Sequence, residues 1–194
     1  MSEPVRCWET GDPLYQAYHD EEWGRPVTDE RGIYERLCLE GFQSGLSWLT
    51  ILRKRENFRR AFKSFDIEAL ARFNQRSVAR LMADAGIVRN RAKIEAAINN
   101  ARRCVDLAEE FGSLAAYVWS FEPDAAARPK RLDSDTLRHM GVSPEAKAMS
   151  SDLKRRGWAF VGPTTAYALM QACGLVNDHL AGCRVREMVE SLNH

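Results

Sequence analysis

No stretch of the 194-residue chain approaches the roughly 20 consecutive apolar residues that a membrane-spanning helix needs. The opening, "MSEPVRCWETGD", has no apolar core of the kind a secretory leader carries. Alternating strand-like runs are scarce, and there is no internal repeat and no low-complexity tract. Cysteine is limited to five residues. In the cytoplasmic setting these absences imply, they are expected as thiols or metal ligands rather than disulfides. None is needed as a staple, because a chain of this length buries about 70% of its unfolded surface. The net charge is only +1, so any affinity for a polyanion has to come from local clusters.

What is present is helical periodicity. Apolar residues recur at three- and four-residue intervals: Ile33 and Leu37, Leu49 and Leu52, then Ile94, Ile98 and Val105. Asp66 precedes "IEALARF" as an N-cap, and Asn74 precedes "QRSVARLMADAG", expected to stop at Gly86. A long helix from Asn90 should end at Gly112, Ser143-Pro144 opens another, and Gly162-Pro163 opens "TTAYALMQACG". Residues 122–142 hold two prolines and little periodicity, and read as an irregular connector. The expectation is an all-α protein, residues 1–194 forming one unit or two interlocked helical lobes.

Four groups of residues could carry chemistry. Basic residues cluster at Arg53 to Lys63, at Arg89, Arg91 and Lys93, and at Lys154 to Arg156. Such clusters suit a polyanion, or are solvated helix faces. Cys7 and His19 near one end, with His179 and Cys183 at i,i+4 spacing near the other, are a donor set for a closed tetrahedral zinc site, or four unrelated residues. Cys38, Cys104 and Cys173 sit among apolar helical neighbours and read as core. Trp8, Tyr15, Tyr18, Trp23 and Trp48 are core residues, or, with the lone carboxylate Glu40 in "LEGFQSGLSW", a pocket that sandwiches a flat, cationic ring. Finally, "ADAGIVRNRAKI" is either an ordinary interhelical turn or a hairpin that offers amides to a phosphate.

These features, in this order, resemble the 3-methyladenine DNA glycosylase I family. The resemblance spans nearly the whole chain, through "DPLYQAYHDEEWGRPVTDE", "CLEGFQSGLSWLTILRKRENFRRAFKSFD", "DAGIVRNRAKIEAAINNA", "YVWSF" and "GWAFVGPTTAYALMQACGLVNDHLAGC". It implies a helix-hairpin-helix glycosylase-like bundle in which one structural zinc, held by Cys7, His19, His179 and Cys183, ties the terminal segments together. It implies a monofunctional DNA-repair glycosylase that flips 3-methyladenine out of alkylated double-stranded DNA and hydrolyses its N-glycosyl bond. It calls for no obligate protein partner. By the same carry-over Glu40 reads the flipped base, and Tyr15, Tyr18, Trp48 and Trp8 form its pocket. Gln43, Gly45 and Leu46 enter the gap in the DNA, and Gly86, Arg89 and Arg91 contact the backbone.

No lysine falls within the pocket motifs, so no Schiff base and no strand cleavage are expected. Gly41 and Gly45 are expected to let the backbone turn tightly after Glu40. Two departures from the family pattern stand out. Phe42 occupies a place where some relatives carry Gln, which suggests an altered pocket rim. Val88 replaces the second glycine of a general helix-hairpin-helix turn. The rival readings are a zinc-stabilised DNA-binding module without catalysis and a glycosylase for another base.

Overall fold

The computed structural model describes residues 6–8, 10–129 and 132–192. Half of the opening read as lacking a leader core, residues 1–5 and 9, therefore lies outside the described residues, as do two residues of the expected connector. Within them the protein is all-helical, with no strand. Eleven helices run in order: α1 Pro13–Glu21, α2 Glu30–Gln43, α3 Trp48–Ala61, α4 Ile67–Ala71, α5 Gln75–Ala83, α6 Arg91–Phe111, α7 Leu114–Trp119, α8 Ser134–His139, α9 Pro144–Arg155, α10 Pro163–Ala172 and α11 Arg186–Leu192.

Short polar side chains start most of them. Asp12, Asp29, Ser47, Asp66, Asn74, Asn90, Ser113 and Ser143 each accept a hydrogen bond from an amide in the first turn, groups that have no partner inside the helix. The expected caps at Asp66, Asn74 and Ser143 are among these, and α6 ends at Gly112 as its sequence suggests. Helix α5 departs from expectation: it stops at Ala83 with Asp84 as its cap, and Gly86 belongs to the turn after it. Residues 122–142 hold a 3-10 turn at Ala125–Ala127 and the short helix α8, so part of the expected irregular connector is helical.

Helix α2 is central. It packs against α3, α6, α7 and α10. Every residue from Leu37 to Phe42 is buried, so its C-terminal half is covered on all sides rather than along one stripe. Buried apolar residues from Tyr18 to Val176 form one contiguous core around it. A small satellite of Cys183, Val185 and Val189 packs with Cys7. Cys38, Cys104 and Cys173 are core residues, as expected, whereas Val105 is 46% exposed on the outer face of α6.

The end of α10 is laced to the segment after α1. The Gly24 amide donates to the Gln171 carbonyl at 3.1 Å, and the Val27 amide to that of Cys173 at 3.0 Å. Gly174 permits this approach. Its φ is +79°, and a Cβ there would lie 2.5 Å from the Arg25 carbonyl carbon. Gly45 has the same φ, +79°, but nothing within 4 Å of a Cβ. Gly174→Ala should therefore cost roughly 3 kcal/mol or more, adding backbone collision to left-handed strain, while Gly45→Ala should cost about 1 kcal/mol. Urea melts of the two variants against the parent check this, and equal effects would count against it.

Candidate active site and metal centre

Glu40 lies in the covered half of α2 and is 7% exposed. Among the described residues nothing hydrogen-bonds its carboxyl. It faces a cavity of about 180 Å³ lined by Trp8, Tyr15, Tyr18, Trp23, Gln43, Trp48, Leu137, Ala168 and Gln171. The walls are aromatic. The Trp8 ring centroid lies 5.0 Å from that of Tyr15 and 4.6 Å from that of Trp23, and Tyr18 lies 5.2 Å from Trp48. The Trp48 indole Nε1 is buried without a partner. Burial, only partly offset by the Arg36 guanidinium, pushes the Glu40 carboxyl from its ordinary 4.5 up to about 8. The same burial, with the charge of Glu40, raises Tyr15 and Tyr18, so both present neutral phenols.

A second cavity, of about 260 Å³, shares Glu40 and Gln43 and is lined by Ser44, Gly45, Leu46, Thr164, Thr165 and Ala168. The loop that leaves α2 forms its edge, and Leu46 is 43% exposed there. Two expectations change. Gly41 is not a turn residue: it lies inside α2, and a Cβ would meet Phe160 at an ordinary 3.6 Å. The tight turn belongs to Gly45 alone. Phe42 is not on the pocket rim. It points to the opposite side of α2, where its ring packs 4.7 Å from that of Phe58 and 5.7 Å from that of Phe62. Alternate burial of neighbours on a fully covered helix sends Phe42 to the core and leaves Gln43 at the cavity.

The terminal segments meet beside this pocket. The donor atoms of Cys7, His19, His179 and Cys183 all lie within 4.8 Å of one another. The His179 Nδ1 is 3.6 Å from each sulfur, and the His19 Nε2 is 3.8 Å from the Cys183 Sγ. A tetrahedral ion with bonds of about 2.3 Å to sulfur and about 2.0 Å to nitrogen sets such separations at about 3.5 Å, so the donors fit one. The outer nitrogens are held as in metal sites: His19 Nδ1 by the Asp20 carboxylate at 2.8 Å, His179 Nε2 by the Trp23 carbonyl at 3.0 Å. Burial, with His19 and Arg186 nearby, pushes His179 down to about 4, which keeps it a neutral imidazole. The cluster touches the pocket wall directly, for the Trp8 ring sits 5.0 Å from His19 and the Trp23 ring 4.7 Å from His179.

Most of the basic residues are committed inside the fold. Arg53 pairs with Asp12, Arg55 with Glu22, Arg59 with Glu35 and Glu56, and Arg156 with Glu110 and Asp152. Lys54 and Asn57 hold the turn at 84–90 by its Ala85 and Gly86 carbonyls. A Cβ on Gly86 would lie 2.9 Å from the Asp84 carboxylate and 3.1 Å from the Asn57 side chain, so a larger residue would have to displace them. Arg89 on this turn and Arg91 at the start of α6 are exposed, with Arg91 only loosely paired to Glu95 at 3.4 Å. Lys93 is buried, contrary to its place in the basic cluster. Ala168, Gln171, Thr164, Thr165 and Leu137 line the two cavities without having been singled out by sequence. Only packing brings α10 and α8 to α2. Gln171 also donates to Asp178 at 2.8 Å.

A family model described as methyladenine glycosylase matches residues 8–187. The DNA-3-methyladenine glycosylase 1 of Escherichia coli (strain K12) is 48% identical over 180 residues, covering 92% of this chain and 95% of that protein. A crystal structure of a 3-methyladenine DNA glycosylase I superposes with a TM-score of 0.84 at 46% identity, over 93% of this chain and 98% of that one. A Staphylococcus aureus 3-methyladenine DNA glycosylase I, solved for the structural basis of 3-methyladenine recognition, gives a TM-score of 0.83 at 36% identity, over 91% and 93% of the two chains.

The raised Glu40 value has a sign that can be measured. The unfolded chain ionises this group near 4.5 while the native state keeps the proton to about 8, so the native state binds more protons between those values. Glu40 therefore destabilises the fold increasingly as pH rises through that window. Glu40→Gln mimics the protonated form and removes the effect. The variant should match the parent near pH 4.5 and exceed its stability near pH 8, by on the order of a few kcal/mol. Thermal or urea melts across pH check this; a pH-independent difference would overturn it.

Proposed function

Because the chain belongs to the methyladenine glycosylase family, we propose that it removes 3-methyladenine from alkylated double-stranded DNA by hydrolysis of the N-glycosyl bond, leaving an abasic site in an intact strand. The observation that carries this reading is Glu40, a buried carboxyl without a protein partner, in an aromatic-walled cavity sized for one flat ring. Plain backbone binding would not require it, which sets the non-catalytic DNA-binding reading aside.

A base inside a duplex is out of reach and has to be extruded, at a cost of a few kcal/mol. Gln43 and Leu46, on the loop beside the cavity, are placed to fill the gap left in the stack. We read the turn at 84–90 as the helix-hairpin-helix element, with Gly86, Arg89 and Arg91 against the phosphates. In the pocket Tyr15, Tyr18, Trp48 and Trp8 enclose the ring. N3-methylation makes the adenine of the nucleotide cationic, so its glycosidic bond is already weak. The free pocket holds a proton on Glu40 at neutral pH. A cationic ring favours the carboxylate instead, and the proton leaves to solvent as the ring binds. Normal adenine offers the amine without the charge, so it does not offset that deprotonation. Departure of the base puts positive charge on the sugar, and water then adds to it.

Single-turnover incubation with methylated duplex DNA should release 3-methyladenine, identified by chromatography. Glu40→Gln, which keeps shape but not charge, should slow release by about ten- to a hundredfold while remaining folded. Borohydride should trap no enzyme–DNA adduct. Release of a different base, or undiminished release by Glu40→Gln, would refute the assignment.

The metal is proposed to be one structural zinc, since four protein donors leave no open position for catalysis. A divalent cation at this point would hold both thiols as thiolates and clamp Trp8 and Trp23 at the pocket wall. Elemental analysis should find about one zinc per chain. Cys183→Ala should lose it, melt lower and bind free 3-methyladenine more weakly. Full stability of that variant would oppose the role.

A further inference from the structure

Lys93 lies in the first turn of α6, three residues after the cap Asn90, and is 7% exposed. Among the described residues it has no carboxylate partner. Its Nζ instead donates to the carbonyls of Phe42, at 2.8 Å, and Ser44, at 2.5 Å. These carbonyls lie where α2 ends, at the negative pole of the helix and among groups that have no acceptor role inside it. Burial depresses the Lys93 pKa, and an ammonium at a helix N-terminus also faces the wrong end of the α6 dipole. The chain thus buries a cation under two unfavourable conditions, and what it gains in return is a fixed position for the residues just after Phe42.

Those residues are the end of α2 and the loop after it, Gln43–Leu46, which Gly45 turns through φ +79°, with the Ser44 amide on the Gly41 carbonyl at 3.4 Å and the Leu46 amide on the Gln43 carbonyl at 2.6 Å. On the other side, Lys93 begins the helix that the turn at 84–90 launches, and Lys54 and Asn57 fasten that turn to α3. Glu40 is one turn back along α2 from the clamped carbonyls.

We propose that Lys93 is a positioning residue for duplex opening: it locks the segment carrying Gln43 and Leu46 at a set distance from the turn carrying Arg89 and the helix start carrying Arg91. Docking of that turn on the backbone then brings the loop to the stack as one rigid piece. Without the clamp the loop must be ordered during extrusion, and the conformational entropy lost there raises the barrier. This rests on the excision reading above. It assigns Lys93 no contact with base or sugar.

The test compares Lys93→Met, which fills the volume but cannot donate, and Lys93→Arg, which keeps charge and donors, with the parent. Each is measured for thermal melting, affinity for free 3-methyladenine by tryptophan fluorescence, and single-turnover release from methylated duplex and single-stranded DNA. Lys93→Met should bind the free base as the parent does, lose about tenfold or more of its release rate on duplex, and lose less on single strands, where nothing has to be wedged apart. Lys93→Arg should recover part of the duplex rate. A folded Lys93→Met that releases base from duplex at the parent rate overturns the proposal. So does one whose duplex, single-strand and free-base measurements all fall together. Where Lys93→Met fails to fold, Lys93→Gln, which keeps one amide donor, takes the same comparison, and failure of both to fold shows Lys93 to be structural and overturns the proposal. The parent's own release on the same duplex separates the two ideas. If the parent releases no base, the excision reading falls and this one with it; if the parent releases base and Lys93→Met is unaltered, only the positioning role falls.

Discussion

The complete covering of the C-terminal half of α2 is the constraint on which the site depends. A carboxyl on a helix with one open face would reach water and stay ionised. With Leu37 to Phe42 all buried, Glu40 meets only the cavities at its end and is 7% exposed, and among the described residues no neighbouring donor replaces the lost water. The unmet desolvation cost shows in the proton that Glu40 keeps up to about 8. Aromatic rings, which are large and stiff, keep the cavity around it open by leaning on one another rather than by filling it.

The pocket is not the property of one segment. Glu40 and Gln43 come from α2, Trp48 from the start of α3, Tyr15 and Tyr18 from α1, Gln171 and Ala168 from α10. Two devices hold these together. The backbone of residues 24–27 is bonded to the end of α10, with Gly174 allowing contact. The Cys/His cluster gathers residues 7, 19, 179 and 183 and packs its imidazoles on Trp8 and Trp23. Each device joins a part of the chain near one end to a part near the other, so the walls of the site are set by contacts more than 140 positions apart in sequence.

Charge shows a similar division between local appearance and final use. The run from Arg53 to Lys63 looks like a polyanion-binding face, yet its arginines mostly meet acids, Asp12 and Glu22 at the two ends of α1 and Glu35 in α2. Exposed ion pairs of this kind contribute little stability individually, but they remove those side chains from the free positive surface. Arg89 on the turn at 84–90 and Arg91 at the start of α6 remain exposed, the latter on the helix whose buried Lys93 reaches the carbonyls at the end of α2.

Helices, caps and the buried cysteines were legible in the sequence because they depend on near neighbours: Asp66, Asn74 and Ser143 each cap the helix that starts beside them, and period alone marks Ile33, Leu37 and Ile94 as core. Around Glu40 and Trp48, and for the Cys/His pairs, residue types and spacing left core or unrelated residues as alternatives, and the resemblance to a glycosylase family chose between them. Tertiary structure decided what period and spacing leave open. It turned Phe42 into the core and Gln43 toward the cavity, exposed Val105 on α6, brought Gln171 and Thr164 to the site, and converted Lys93 from one of a basic cluster into a buried clamp. The reason is common to all four. A side chain's neighbours along a helix set whether the helix forms, but which of its faces is covered, and by what, depends on segments that reach it only when the whole chain has packed.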